Sequence, residues 1–264
     1  MCLIALAWGV HPRYPLALIA NRDEFHGREA APAGYDPEHA HIYGGRDLLQ
    51  SGSWLLVSTR GRLAAVTNVR VGANPEVAPR SRGALVRGFV SGDASADAYL
   101  TALAADAPDY GRFNLVVWDG TTLAFASNHP HYATHAIAPG VHAMSNGAFD
   151  ASWPKSMHAT RALSAWLEGT ADDAPMLAEL FDALAETTPA PDAALPDTGV
   201  GLALERALSP PFVRGERYGT RCSSVVLVDA DDGITFVERR FGPNAQPLGE
   251  TAALLPRAMQ GPHK

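Results

Sequence analysis

A cysteine at the second position of the chain is the residue with the clearest capacity for chemistry. Methionine aminopeptidases remove Met1 when a small residue follows, and this would leave Cys2 at the amino terminus. The thiol would then lie beside its own α-amino group, whose ordinary pKa of about 7.7–8 suits a general base near neutral pH. The position therefore predicts an activated nucleophile of the N-terminal-amine type.

A polar tetrapeptide, Asn21-Arg22-Asp23-Glu24, is predicted to face this cysteine. The apolar runs Leu3–Trp8 and Leu16–Asn21 are separated by a short loop and predict an antiparallel hairpin. Residue numbers opposed across such a pair have a constant sum, here 24, so Cys2 faces position 22, or a neighbour if the register slips by one. Four polar residues at a strand end usually form only a solvated exit, but their position opposite the thiol favours a functional role.

Other segments supply the elements that must position these residues. Asp119-Gly120 and Asp232-Gly233 are strong hairpin signals. Further strands are predicted at Trp54–Thr59, Leu63–Val69, Phe113–Trp118, Thr122–Ser127, Ser223–Asp229 and Ile234–Glu238. Apolar spacing predicts helices around Leu85–Val90, Ala96–Leu103, Ala159–Trp166 and Leu177–Leu184, the last with Asp173 as its cap and Pro175 in its first turn. Thr187–Pro211 is rich in proline and is interpreted as a long ordered loop.

This order of strand hairpins with two inserted helical blocks favours an α+β layered sandwich over a parallel α/β fold. The 264 residues show no break in composition, so residues 1–264 are interpreted as one domain.

The net charge of −7 disfavours nucleic-acid binding, and no apolar run approaches the roughly 20 residues of a membrane span. The two cysteines exclude a disulfide framework, and a cytoplasmic location is expected.

These motifs resemble those of a known group, the NRDE family, which includes proteins similar to transport and Golgi organisation protein 2. The resemblance starts at Met1-Cys2 and the tetrapeptide Asn21–Glu24, and it extends to about residue 240. Further matching blocks are Thr67–Arg70, Ser81–Gly83, Phe113–Leu115, Leu195–Gly199, Phe212–Arg214 and Tyr218–Arg221.

The resemblance implies an N-terminal nucleophile (Ntn) hydrolase-like fold, a four-layer αββα sandwich of two antiparallel sheets flanked by helices. The layout is also similar to the bile-salt hydrolase and penicillin V acylase group, in which a later asparagine helps to form the oxyanion hole. The segment Val141–Asn146 resembles that region and nominates Asn146. The spacing around Asn21–Glu24 departs from that group, so the residue that orients Cys2 stays open. Asp23 is favoured as acceptor for the α-amine, and Arg22 as the cation that lowers the thiol pKa.

The implied chemistry is that of an amidase acting on a non-peptide C–N bond. Asn146 and Asn68 are expected to stabilise the oxyanion. Arg221 is expected either to hold a substrate carboxylate or phosphate or to form a structural salt bridge. Two further residues of the tetrapeptide, Asn21 and Glu24, are expected to contact the substrate, a small molecule of anionic or acylated type.

The resemblance also leaves an alternative, a non-catalytic carrier of haem or acyl-lipid ligands, because eukaryotic relatives are linked to Golgi organisation, lipid metabolism and haem movement. Neither a cofactor nor a metal is expected, since the histidine groups at His39-Ala40-His41 and His129–His135 fall in turn-rich loops. Cys222 is interpreted as a buried inert thiol that can reach Cys2 only if its hairpin meets the site. Lys155 has no partner in the sequence that identifies a role.

Overall fold

The computed structural model describes residues 2–72, 76–169, 176–231 and 233–256. Three residues named in the predictions above, Asp173, Pro175 and Asp232, lie outside this range, as does Met1. The strands are β1 (Cys2–Trp8), β2 (Leu16–Phe25), β3 (Ala30–Tyr35), β4 (Ile42–Asp47), β5 (Leu55–Ser58), β6 (Arg62–Asn68), β7 (Phe113–Trp118), β8 (Leu123–Ser127), β9 (Ala133–Ala136), β10 (Gly140–Met144), β11 (Tyr218–Val228), β12 (Ile234–Phe241) and β13 (Pro247–Leu255). The helices are α1 (Arg82–Ser91), α2 (Ala96–Asp106), α3 (Pro154–Gly169), α4 (Ala178–Leu184) and α5 (Leu202–Ala207).

Two antiparallel sheets pack face to face between layers of helices. The first sheet has the order β10-β1-β2-β11-β12-β13, and the second has the order β3-β4-β5-β6-β7-β8-β9. Apolar side chains from both sheets, such as Ile4, Leu18, Val57 and Val116, form the core between them. A second core joins the outer face of the second sheet to α1 and α2, and a third joins the first sheet to α3 and α4. The predicted four-layer αββα sandwich is therefore confirmed.

The register of the N-terminal hairpin is the one that the sequence predicts. Trp8 pairs with Leu16, and Cys2 pairs with Arg22, without a slip. Alternate residues of β1 point to opposite faces, so Ile4 and Leu6 enter the core between the sheets while Leu3 and Ala5 face the helices. Cys2 shares the parity of Ile4 and therefore faces the second sheet.

Several elements were missing from the sequence prediction. Strands β3, β4, β9, β10 and β13 were not predicted, because segments such as the alanine- and proline-containing β3 have little intrinsic strand preference and are fixed by their neighbours. The region Thr187–Pro211, predicted as a loop, contains the short helix α5. His135, predicted to lie in a loop, is on β9. In the described part of the chain, every helix is too short or too polar to cross a membrane.

Candidate active site

Cys2 lies at the edge of a polar cavity of about 230 Å³ between the two sheets and the start of α1. The cysteine is 9 % exposed, and its strand begins at this residue, so the thiol is at the end of the sheet rather than in its interior. The residues lining the cavity are mainly charged or polar: Cys2, Arg22, Asp23, Glu24, Arg28, Asp47, Gln50, Ser53, Trp54, Val66, Thr67, Asn68, Glu76, Ala78, Arg80, Ser81, Arg82, Gly83 and Gly111. A small polar ligand fits this lining better than an apolar one.

The tetrapeptide is divided by the alternation of β2. Arg22 points towards the second sheet, where its guanidinium carbon lies 4.1 Å from the centre of the Trp54 ring. The side chain is buried, and its Nη1 has no hydrogen-bond partner among the described residues. Cation–π stacking on one face leaves the edge of the guanidinium able to donate to a ligand in the cavity.

Asp23 is buried beside Cys2. Its Oδ1 accepts a 2.7 Å hydrogen bond from the Thr220 hydroxyl, and the Tyr218 hydroxyl donates to its backbone carbonyl at 3.1 Å. Burial raises the pKa of the Asp23 carboxyl, and the positive charge of Lys155 opposes that rise. Asp23 is therefore a carboxylate whose charge depends on its immediate neighbours.

The thiol of Cys2 is not a preformed thiolate. Burial raises its pKa, and the carboxylates of Asp23 and Glu24 add to the rise, whereas the charge of the amino terminus and, to a smaller extent, the guanidinium of Arg22 oppose it. A neutral resting thiol must lose its proton during attack, so the site requires a general base next to the sulfur.

Two other members of the tetrapeptide have different surroundings. Asn21 is fully buried on the helix side: its Nδ2 donates to the carbonyls of Leu184 and Pro211, and its Oδ1 accepts from Ser223. These bonds fix β2 against α4 and leave little of the amide for a ligand. Glu24 lines the cavity and lies 4.0 Å from Arg28.

The two asparagines nominated for the oxyanion lie together. Nδ2 of Asn146 donates to the backbone carbonyl of Asn68 at 2.8 Å, and Asn68 lines the cavity while Asn146 is buried behind it. The neighbouring Ser145 hydroxyl donates to the carbonyl of Cys2 at 3.0 Å. This arrangement places Asn68 nearer to a ligand than Asn146.

Arg221 lies apart from the cavity lining. Its Nη1 donates to the backbone carbonyls of Phe25 and Arg28, at 2.9 and 2.8 Å, and so holds the turn that follows β2. Among the described residues, Arg221 forms no salt bridge and is not part of the cavity lining.

Cys222 is in the same row of the sheet as Cys2, with Arg22 between them. Arg22 pairs with Cys2 on one side and with Cys222 on the other. Since neighbouring strands are about 4.8 Å apart, the two cysteine Cα atoms are roughly 10 Å apart, beyond the reach of a disulfide. Both thiols are free. The hairpin thus meets the site, but β2 separates the two sulfur atoms.

The two histidine groups are elsewhere in the molecule. The rings of His39 and His41 lie 5.8 Å apart between β3 and β4, and His135 packs against Phe125. Within the described ranges, His, Cys, Asp and Glu side chains form no cluster of three or more suited to a metal ion.

Sequence reasoning missed three parts of the site. Trp54 supports Arg22, and Ser81 caps α1 by accepting from the Gly83 amide at the cavity wall. Lys155 is fully buried in the first turn of α3; burial lowers the pKa of its ammonium group, and the negative charges of Asp23 and Cys2 oppose that fall. Lys155 is four residues before buried Ala159 and eight before buried Leu163, so its position on the apolar face of α3 was a usable signal.

Two matching blocks meet in one buried network behind the site. Arg70 donates to Thr198 and forms an ion pair with Glu205 of α5. The amide and hydroxyl of Thr198 both donate to the same carboxylate. These contacts hold two segments that are far apart in sequence, around residues 70 and 198, against each other.

Comparisons with known proteins agree with the sequence resemblance. The family model described as "Transport and Golgi organisation 2" matches residues 1–243. The chain is 32 % identical over 264 residues to the transport and Golgi organization protein 2 homolog of Bos taurus, covering 90 % of this chain and 92 % of that protein. It is also similar to solved structures of penicillin V acylase from Agrobacterium tumefaciens (TM-score 0.47, 13 % identity, 89 % of this chain and 82 % of that one) and of a Caenorhabditis elegans N-acylethanolamine-hydrolyzing acid amidase ortholog (TM-score 0.48, 10 % identity, 86 % and 92 %). The chain belongs to the transport and Golgi organisation 2 family.

Proposed function

We propose that this protein is a cysteine hydrolase of the N-terminal nucleophile type that cleaves a non-peptide C–N amide bond. The observation that carries the proposal is the position of Cys2, at the end of its strand and on the wall of a polar cavity, with Arg22 opposite and Asp23 beside it. The neutral thiol needs a nearby base, and removal of Met1 supplies one in the α-amino group of Cys2.

The reaction follows from these groups. The α-amine takes the thiol proton as the sulfur attacks the amide carbonyl carbon, which gives a tetrahedral intermediate with a negative oxygen. As the C–N bond breaks, the same amine returns the proton to the leaving nitrogen, and a thioester to Cys2 remains. A water molecule, deprotonated by the amine, then attacks the thioester and releases the carboxylic acid and the free thiol.

The oxyanion needs hydrogen-bond donors near the thiol. Asn68 lines the cavity, and its backbone is held by the Asn146 amide, so Asn68 is assigned as the side-chain donor and Asn146 as its support. One such donor typically contributes about 3 kcal/mol to transition-state stabilisation. Asp23 accepts a hydrogen bond from the α-amine, and Arg22 lowers the thiol pKa.

The substrate is a small amide with an anionic or strongly polar group. The cavity has room for a small molecule, and the unpaired edge of the Arg22 guanidinium offers donors to a carboxylate or phosphate. The same polar lining disfavours the alternative of a haem or acyl-lipid carrier, although the printed names of the relatives refer to transport and Golgi organisation.

Intact-mass measurement combined with an amide panel tests this function. The active protein should lack the mass of Met1, and brief incubation with anionic N-acyl amides should add the acyl mass to the peptide containing Cys2. Retained Met1 in an active preparation would contradict the mechanism. A haem titration that shifts the Soret band in wild type but not in Cys2→Ala would support the carrier instead.

A further inference from the structure

A buried lysine lies behind the nucleophile, on the helix side of the first sheet. Lys155 is 2 % exposed and occupies the first turn of α3. Its Nζ has no hydrogen-bond partner among the described residues. A lysine amine is rarely buried unless it is paired, because removing an ammonium group from water is costly.

The position is not explained by helix stability. A cation in the first turn of a helix is opposed by the helix dipole, which favours negative charge there. The apolar face of α3, represented by Ala159 and Leu163, would pack equally well with a methionine at this position. The charge itself therefore requires an explanation.

Burial lowers the pKa of the Lys155 ammonium group. Asp23 on β2, Cys2 on β1 and Glu205 on α5 oppose that fall, whereas the positive charge of Arg70, after β6, adds to it. Asp23 is on the same side of β2 as Asn21, which donates to α4, and Lys155 is on the face of α3 that packs against this side of the first sheet. Glu205 already forms an ion pair with Arg70 and accepts from Thr198, so its charge is balanced without the lysine. Among these groups, the carboxylate that Lys155 can balance is that of Asp23.

The surroundings of Asp23 show why this matters. Besides Lys155, the charge of the amino terminus and the hydrogen bond from Thr220 lower the pKa of Asp23, and the carboxylate of Glu24 raises it. The charge of Asp23 in turn raises the pKa of Tyr218. A buried carboxyl with a neighbouring carboxylate takes up a proton readily, and a protonated Asp23 with Oδ1 occupied by Thr220 is a poor acceptor for an ammonium group.

We propose that Lys155 is a positioning residue for the nucleophile: its buried ammonium group keeps the Asp23 carboxylate charged, so that Asp23 can hold the α-amino group of Cys2. The cavity beside Lys155, lined by Arg70, Trp153 and Glu205 among others, has a volume of only about 10 Å³. That is the room for about one water molecule, so a substrate cannot reach the amine and Lys155 acts through Asp23. The role in catalysis rests on the proposed function, whereas the charge coupling does not.

The direct test is the titration of Asp23, followed by NMR in protein labelled at the aspartate side-chain carboxyl carbon. The Asp23 signal is assigned by its loss in Asp23→Asn. In Lys155→Met, the midpoint should rise by about one unit or more, which is a tenfold lower ratio of charged to neutral carboxyl at a given pH below the midpoint. Lys155→Arg, which keeps the charge, should return the midpoint most of the way. An unchanged midpoint in Lys155→Met would overturn the proposal.

Removal of one of two buried opposite charges can unfold a protein, so a second variant is needed in case Lys155→Met does not fold. If Lys155→Met does not fold, the double variant Asp23→Asn/Lys155→Met should fold, because both charges are removed together. A double variant that is also unfolded would contradict the pairing.

Amide hydrolysis separates this inference from the proposed function. If wild type turns over an amide, the acid limb of its kcat/KM profile should move to higher pH in Lys155→Met, in step with the Asp23 midpoint. A wild type without turnover on the panel, combined with the NMR shift, refutes the hydrolase and leaves the coupling intact. Turnover with an unmoved midpoint refutes the coupling alone.

Discussion

Cys2 and Cys222 lie on either side of Arg22 in the same sheet, yet they differ in what surrounds them. Cys2 on β1 and Cys222 on β11 each pair directly with Arg22 on β2, and both are buried. Cys2 is at a strand end and opens onto the cavity, whereas Cys222 is within β11 and is coupled to the buried carboxyl of Glu238. The difference predicts that a thiol at the end of a strand reacts faster than one in the interior of a strand, even when both lie next to the same cation.

Substitution of each cysteine gives the largest expected contrast. Cys2→Ala removes the nucleophile, so amide hydrolysis should fall by at least about 10³-fold. Cys222→Ala should keep activity within about threefold and lower the free energy of unfolding by about 1 kcal/mol, because it removes only a buried sulfur. Initial rates on the same amide and chemical denaturation measure the two effects. Equal losses of activity in the two variants would contradict the assignment of Cys2, rather than Cys222, as the nucleophile.

Alkylation by iodoacetamide measures the same contrast without a substrate. Burial raises the pKa of Cys2, and it raises that of Cys222 well above the ordinary range. Since only the thiolate reacts, Cys2 should be modified at least about tenfold faster than Cys222 in the folded protein. A raised pKa also means that the Cys2 rate increases with pH across the neutral range, by about tenfold per unit, and is still rising at about pH 8.5. Peptide mass spectrometry over time measures the alkylation rate at each cysteine. Unfolding the protein in guanidinium chloride should abolish the difference between the two rates.

Arg22 is the element that the two cysteines share, so its removal should affect both. The guanidinium lowers the pKa of each thiol, and Arg22→Leu should therefore raise both. The Cys2 alkylation rate at pH 8 should fall by about three- to tenfold, and Arg22→Lys should recover part of the loss. Arg221→Leu is the matched control: that arginine is one residue from Cys222 but is held by backbone carbonyls, and its loss should leave the Cys2 rate within about twofold. A larger effect of Arg221→Leu than of Arg22→Leu would show that Arg221, and not Arg22, is the cation that lowers the pKa of Cys2.

The part of this comparison that could be predicted is the part that depends on local pairing. The hairpin register places Cys2 opposite Arg22 because β1 and β2 are joined by one short loop, and the apolar runs fix their alternation. Asn21 was predicted as a ligand contact, and Arg221 as either a ligand contact or a structural salt bridge. The alternation of β2 instead sends Asn21 towards α4, and Arg221 holds backbone carbonyls of a turn. Residue type alone does not distinguish a polar group that holds backbone from one that faces a ligand.

The missed residues reach the site from distant parts of the chain. Lys155 comes from α3 and Trp54 from the start of the second sheet, and both are brought to the tetrapeptide by packing of layers rather than by pairing of neighbours. Lys155 did carry a signal, a charge on a buried helical face, whereas Trp54 resembled any other apolar residue at a strand start. Contacts between layers depend on how the whole core packs, so rules for local strand pairing and helix periodicity do not predict them.

The smallest expected effect on the reactivity of Cys2 comes from a substitution beside Trp54, the ring on which Arg22 is stacked. A Cβ at Gly45 would overlap the Trp54 ring, so Gly45→Ala must displace the ring on which the Arg22 guanidinium is stacked. We expect a loss of about 1–3 kcal/mol in the free energy of unfolding and a modest fall in Cys2 alkylation, with Cys222 unaffected. Gly27→Ala is the control, because a Cβ there would meet nothing within 4 Å. If the two alanine variants are equally stable and equally reactive, Trp54 is not the support of Arg22, and the environment of Cys2 is set within its own sheet.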